Sequence, residues 1–350
     1  MKEIKPDEHS EPDVKFVPDG QSVPIGHIDE KLLKKLSNID DYKEKQVESC
    51  RGFWNLERNN VKWSMDYEDQ NIHGKRYLIF RQDVVLRYLD DLKLEKDSNI
   101  LELGYGCGQI ALEIGKRGFN VFGIDISEKF CKTAMDRCKS NYSQGSFDLR
   151  VGSIESKYDF KDGFFDVVIV VGALQYLYSQ NDCFKEVFRV LKPGGHFIIA
   201  QRNIYSISNF TSPRNFLRSC VHFILREKYE IFPSFKSILT ESRLGYFFSR
   251  YKDSRIFNTK FMLKGHDVWK FEIKKRKNSY FSIKRRLKKN GFKYLNADGA
   301  YYPFSENTKY YDFNRKFDKV LKKLVDKRII PFLFTLGRSI VLDSKKSEII

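Results

Sequence analysis

"NILELGYGCGQIALEIGKRG", residues 99–118, decides the fold. Asn99 to Leu103 is a short apolar strand that runs into Gly104, Gly106 and Gly108. Ile110 and Ile114 then fall on one helical face, and Gly118 ends the pattern. Strand, glycine-rich turn and helix are the parts of a nucleotide site, because glycines let the backbone approach a ligand at a helix N-terminus. A dinucleotide site of the G-x-G-x-x-G type needs its third glycine for close packing of helix on strand. Counted from Gly104 that position is Gln109, and the run reads instead Glu102-x-Gly104-x-Gly106-x-Gly108.

Strands and helices alternate regularly downstream. "NVFGIDIS" is a second strand ending at Asp125, where an acidic side chain can accept bonds from both hydroxyls of a ribose. A helix from Glu128 through Cys138 follows, and "FDLRVGSIES" supplies a third strand ending near Gly152. In "GFFDVVIVVGALQYL" the unbroken apolar run Val167 to Val171 predicts a strand buried on both faces. Phe184, Val187, Phe188 and Leu191 form the apolar side of the next helix, and "RVLKPGGHFIIAQRN" turns at Pro193-Gly194-Gly195 into a fifth strand. Upstream, Ile39 to about Leu94 reads as helical with an aromatic middle (Phe53, Trp54, Trp63, Tyr67). Ile79, Val84, Val85 and Leu89 mark the helix that leads into the first strand. The first 40 residues are polar and predict a loose arm.

Glu102 with its alternating glycines, Asp125 and the "LKPGG" turn, in this order, resemble the class I S-adenosylmethionine (SAM)-dependent methyltransferases. The likeness is to the broad small-molecule group that includes the quinone C-methyltransferases. It covers about Gln70 to Asn203 and resumes at "IKRRLKKNGFKYLNADGAYYPF" and "LGRSIVLDSKK". It implies an α/β, Rossmann-like sheet of seven mostly parallel strands with helices on both faces, the last strand antiparallel between strands five and six. It also implies SAM as cofactor. The chain divides accordingly into an N-terminal arm and helical cap (1–90), a SAM-binding core (91–203), a substrate lid insertion (204–278) and the completion of the sheet (279–350), which carries a basic amphipathic helical insertion at about 305–335.

The resemblance also implies site roles. Glu102 orients the turn and reaches the methionine amino group, Gly104, Gly106 and Gly108 give the backbone room, Asp125 holds the ribose and Ile126 lies on the adenine face. Where many relatives have an acidic residue after the third strand, this chain has Ser153, a weaker acceptor, with the backbone of Ile154 as the substitute. Gly172 lies beside the sulfonium, and Gln175, Arg202 and Asn203 are the substrate-side candidates. No general base stands out. His73 and His222 are the weak catalytic candidates, while His196 starts strand five at the end away from the site and reads as structural.

Six cysteines without a C-x-x-C pair suggest neither zinc nor a disulfide framework, and no metal site is expected. No run of 18 apolar residues exists and Met1 to Asp19 is charged rather than signal-like, so a cytoplasmic protein is expected, with peripheral placement at a membrane surface as a second reading. The net charge of +17 is unevenly spread: residues 1–200 hold 29 Lys/Arg against 33 Asp/Glu, residues 201–350 hold 34 against 13. Two segments carry this excess as amphipathic helices. "TSPRNFLRSCVHFILREKYEIF" has Ser212 as cap, Pro213 first in the helix and an apolar stripe from Phe216 to Ile224. "FNRKFDKVLKKLVDKRIIPFLF" places Phe313, Phe317, Val320, Leu321 and Leu324 on one face, with Lys316, Lys319, Lys322, Lys323 and Lys327 over the rest. Such helices rest on an anionic membrane, hold a nucleic acid backbone, or pack on the core with a solvated basic face. The first hypothesis is methyl transfer to oxygen or carbon of a small or lipid-linked molecule. The alternatives are an RNA methyltransferase using the basic half, which ranks below the lipid reading for want of an RNA-binding module, and a non-catalytic SAM-binding module.

Overall fold

The computed structural model describes residues 42–56, 76–140, 146–203, 205–207, 256–263, 266–274, 278–300, 302, 311–326, 335 and 337–347. Helices α1 (Tyr42–Trp54) and α2 (Arg76–Asp91) precede the first strand, β1 (Asn99–Leu103). The glycine turn then feeds α3 (Gln109–Gly115), β2 (Asn120–Asp125), α4 (Glu128–Ser140) and β3 (Phe147–Val151). β4 (Phe165–Val171), α5 (Gln180–Val190) and β5 (Leu191–Arg202) complete the regular alternation. A hairpin of β6 (Ile256–Leu263) and β7 (His266–Lys274) interrupts it before α6 (Tyr280–Lys289), β8 (Phe292–Ala300), α7 (Tyr311–Asp326) and β9 (Ser339–Lys346).

Seven strands form one sheet in the order β3-β2-β1-β4-β5-β9-β8. β1 to β5 are parallel, and β9 lies antiparallel between β5 and β8, which is the expected Rossmann-like arrangement. Period-two alternation sends the apolar run of β4 both ways. Val167, Ile169 and Val171 pack beneath Val85 and Leu89 of α2 and Ile110 and Ile114 of α3, while Val168 and Val170 meet Phe184 and Val187 of α5 and Ile283 of α6. The LKPGG run differs from the expected loop. Leu191 already pairs with Phe165, and the register then shifts before Val167 meets His196, so the Pro-Gly-Gly turn is a bulge inside the strand.

Both long insertions are rooted at one buried asparagine. The Asn203 backbone N–H donates to the Arg338 carbonyl, and its Nδ2 donates to the carbonyls of Thr335 and Gly337. Its Oδ1 accepts from the Tyr205 N–H, and Asn203 bridges to Asn278 across the ends of the 204–277 segment. A polar chain leads on from there: Asn278 Nδ2 donates to Gln201, Arg286 donates to both Asn278 and Gln180, and Gln180 Nε2 donates to the Leu174 carbonyl. The described part of the insertion is a β-hairpin, which periodicity did not announce, and β7 lies against α1. The helix expected after Ser212 lies outside the described residues.

α7 turns its half-buried side, Phe317, Leu321 and Leu324, toward the body and leaves Lys316, Lys319, Lys322 and Lys323 exposed. Val320, expected on the apolar face, is 57% exposed among these lysines. The helix packs about Leu321, and the neighbouring position stands about 100° around the axis from it. Among the described residues, no helix is long and apolar enough to cross a membrane.

Phe184 is fully buried and meets Phe197 edge to face, with ring centroids 5.4 Å apart. Phe184→Ala is expected to lower the unfolding free energy by about 3–5 kcal/mol, measured by denaturant titration, because the cavity cannot collapse in a sheet packed on both sides.

Candidate cofactor site

The carboxyl ends of β1, β2 and β4 open into a cavity of about 720 Å³, including its solvent-open mouth. Gly104, Gly106, Asp125, Ile126, Ser153 and Ile154 line it, as does Gly172. Gly104 and Gly108 have φ of +73° and +76°, a region that favours glycine. A Cβ on Gly104 would lie 2.5 Å from Ala173 Cβ, so this glycine sets how closely the turn approaches the end of β4. Gly108 is not part of the cavity wall. It precedes α3, and its added Cβ would meet Ala134 of α4 at 2.8 Å, so its task is packing.

Asp125 holds the two turns together. Its Oδ2 accepts from the Gly106 N–H and its Oδ1 from the Ser127 N–H, each at 2.9 Å. Burial pushes its pKa up to about 6 against the pull of these donors. The Ile126 N–H is a third backbone donor to this carboxylate, which leaves only part of its acceptor capacity for a further donor. Glu102 stands one layer beneath, 2% exposed, and its Oε2 has no hydrogen-bond partner. Burial and then the nearby Asp125 raise its pKa to about 8, and the Ala111 N–H opposes part of that rise. A buried carboxyl with an unused oxygen beside a ligand cavity is suited to a cationic group.

α1 forms the remaining wall. Val47, Cys50 and Trp54 line the cavity, and Trp54 meets Phe130 and Tyr176 at 5.7 and 5.4 Å. Polar ties hold the helix down: Gln46 Nε2 donates to the Tyr176 carbonyl at 2.7 Å, Arg51 donates to the Ile126 carbonyl, and Lys43 pairs with Asp182. The Ser127 hydroxyl meets both Asn55 Oδ1 and the Trp54 carbonyl.

The other candidates have different surroundings. Ser153 Oγ accepts from the Glu155 N–H at 3.3 Å and sits in the cavity wall. Gln175 folds back, with Nε2 donating to the Gly172 carbonyl at 3.1 Å. Arg202 is exposed at the end of β5, and the side chain of Asn203 is engaged within the protein as described. His73 and His222 lie outside the described residues. His196 sits toward the other end of β5, its Nδ1 3.0 Å from Asp343.

Two residues escaped the sequence reading, one in the cavity wall and one packed against Gly172. Glu155 lines the cavity, with its carboxylate accepting from the N–H groups of Tyr178 and Ser179. Arg81 is 2% exposed, and its guanidinium nitrogens lie 3.0 and 3.1 Å from where a Gly172 Cβ would be. The signal for Arg81 was present: it shares a helical face with Leu78, Val85 and Tyr88, where an arginine is out of place unless it has partners.

Comparison with known proteins agrees with this geometry. Residues 101–199 match the family model described as methyltransferase domain. The chain is similar to the sterol 4-C-methyltransferase strm-1 of Caenorhabditis elegans, 32% identical over 119 residues, covering 31% of this chain and 33% of that protein. It is also similar to the ubiquinone/menaquinone biosynthesis C-methyltransferase UbiE of Geotalea daltonii, 27% identical over 126 residues, covering 35% and 50%. The chain thus spans no more than about half the length of these relatives. A fold likeness extends further. Magnesium protoporphyrin IX methyltransferase (ChlM) from Synechocystis PCC 6803, solved with bound SAH, matches 86% of this chain and 100% of its own at a TM-score of 0.50 and 12% identity. Residues 101–199 are thus similar in sequence to a methyltransferase domain, and the sheet that carries them has the Rossmann-like fold.

The two raised acids fix a pH dependence. A carboxyl with a raised folded pKa contributes stability that is fully present below its unfolded pKa, 3.8 for Asp125 and 4.5 for Glu102, and is lost as pH rises through the folded value. Ligand-free protein is therefore expected to lose stability as pH rises from about 4 to about 8 in denaturant titrations, and to level off above that. Glu102→Gln is expected to flatten the part of that decline that lies between about pH 6 and 8, where Asp125 no longer contributes.

Proposed function

We propose that this protein is a SAM-dependent methyltransferase acting on oxygen or carbon of a small or lipid-linked molecule. The observation that carries the reading is the partnerless, buried Glu102 Oε2 beneath a glycine turn, behind the wall of a cavity that the Asp125 carboxylate lines. An ammonium group suits the first and ribose hydroxyls suit the second. Ile126, Ile154 and Trp54 offer an apolar slot for a flat base. The lipid-linked side of the reading is supported by relatives whose names specify a sterol and quinones.

SAM, when bound, supplies a methyl group on a cationic sulfur that is lost to a nucleophile in line. The chain's contribution is placement and exclusion of water. Gly104 lets the turn lie against Ala173 and Gly172 lets the end of β4 lie against Arg81, which would hold the backbone beside the cofactor's reacting end, and α1 lines the cavity with Trp54. Gln175, tied to the Gly172 carbonyl, fixes the turn that faces the acceptor. Among the described residues lining the cavity there is no histidine, and the acidic ones, Asp125 and Glu155, are engaged by backbone N–H groups.

Calorimetry with SAM and with its demethylated product tests the cofactor. Micromolar-range binding is expected. Asp125→Ala is expected to weaken it by about 2–4 kcal/mol, since two charge-assisted bonds are worth about 1.5–3 kcal/mol each with partial compensation. Binding of NAD without SAM would refute the assignment. Transfer of a labelled methyl group from SAM to small-molecule and lipid extracts separates the enzyme from a non-catalytic SAM-binding module, which would bind the cofactor and label nothing.

A further inference from the structure

We propose that α7 is a docking face that seats the protein on an anionic phospholipid surface. Lys316, Lys319 and Lys323 are exposed along one side of the helix, with Val320 among them at 57% exposure. Successive steps of about 100° place these four residues within one arc of some 100° about the helix axis. The opposite side is taken up by the body of the protein. Phe317 and Leu321 are half-buried, and Asp318 is 6% exposed and accepts from the Tyr302 N–H at 2.7 Å. The lysine face therefore has a fixed outward direction. Lys322, at the border, lies 5.8 Å over the ring of Phe80, which anchors the helix to α2 near its N-terminal end.

The position matters as much as the charge. β8 ends at Ala300 opposite Ser339, and Ser339 pairs with Arg202 at the carboxyl end of β5, so α7 leaves and returns at the edge of the sheet where the cavity opens. Residues 201–350 carry 34 basic against 13 acidic side chains. An occupant of this face must be anionic and broad, and it must tolerate an apolar side chain at its centre. A bilayer of acidic lipids has all three properties, with headgroups for the lysines and an interface for Val320. A nucleic acid backbone answers the charge but gives Val320 no environment.

The test uses the full chain with extruded vesicles, either pure phosphatidylcholine or phosphatidylcholine with 30% phosphatidylglycerol (about a third anionic, enough for a negative surface potential), in sedimentation at low and high salt. The expected result is binding to the anionic vesicles alone, falling with added salt. The triple variant Lys316→Gln, Lys319→Gln, Lys323→Gln is expected to bind roughly 100-fold more weakly, each lysine near the surface contributing about fivefold. Val320→Asn is expected to weaken vesicle binding severalfold without changing its salt dependence. All three lysines are exposed, and unchanged calorimetric binding of S-adenosylhomocysteine by the triple variant checks that the fold is kept. Vesicle binding and cofactor binding are read separately, so failure of this proposal is distinguishable from failure of the methyltransferase reading. No binding to anionic vesicles, or binding that the triple variant leaves intact, overturns the proposal. So does capture of single-stranded RNA through the same lysines with no vesicle binding.

Discussion

The carboxyl edge of this molecule depends on one carboxylate shared between two turns. Asp125 receives the Gly106 N–H from the turn after β1 and the Ser127 N–H from the turn after β2. Each such charge-assisted bond contributes about 1.5–3 kcal/mol, while burying the charge costs several kcal/mol before compensation. The near balance leaves a carboxylate with raised proton affinity that is held in place by geometry. With the two turns fixed, Gly104 can lie against Ala173, and the ends of β1, β2 and β4 become a single cavity.

A second constraint organises what is added to the sheet. Asn203 uses both side-chain donors and its acceptor within the protein, and so ties together the segments that begin after β5 and return before β9. The polar chain from Asn278 through Arg286 and Gln180 reaches the Leu174 carbonyl. Leu174 opens the short turn whose Tyr176 lines the cavity and accepts from Gln46 of α1. The root of the insertion and the cover of the cavity are thus linked by buried hydrogen bonds. Such bonds are costly to leave unmade, so these parts hold one relative arrangement.

The sheet was legible in the sequence because its parallel strands are nearly pure apolar runs bounded by turn residues, as in Val167 to Val171. The glycine turn was legible because backbone needs of that kind restrict residue type strongly. Gly108 was read as giving the backbone room for the cofactor, while the constraint the structure shows on it is Ala134 in the following helix, which spacing alone does not reveal. Arg81 and Glu155 were missed because their significance lies in what they face: Gly172, and the N–H groups of Tyr178 and Ser179. Asn203 was placed on the substrate side for its position after strand five. The partners that engage it are 132 and 134 residues away, and no local pattern announces them. Val320 was assigned to the apolar stripe because it borders it; the packing direction of α7 decided otherwise.

The central claim is that a buried acid, Glu102, receives the cationic end of SAM. Calorimetry of SAM binding at pH 7 in buffers of different ionisation enthalpy counts the protons exchanged, and it is the most direct test. With the Glu102 pKa at about 8 in the ligand-free protein, binding is expected to release close to one proton, and Glu102→Gln is expected to abolish most of that release. SAM binding that leaves the proton count at zero in the native protein, or a release that Glu102→Gln does not alter, would contradict the account.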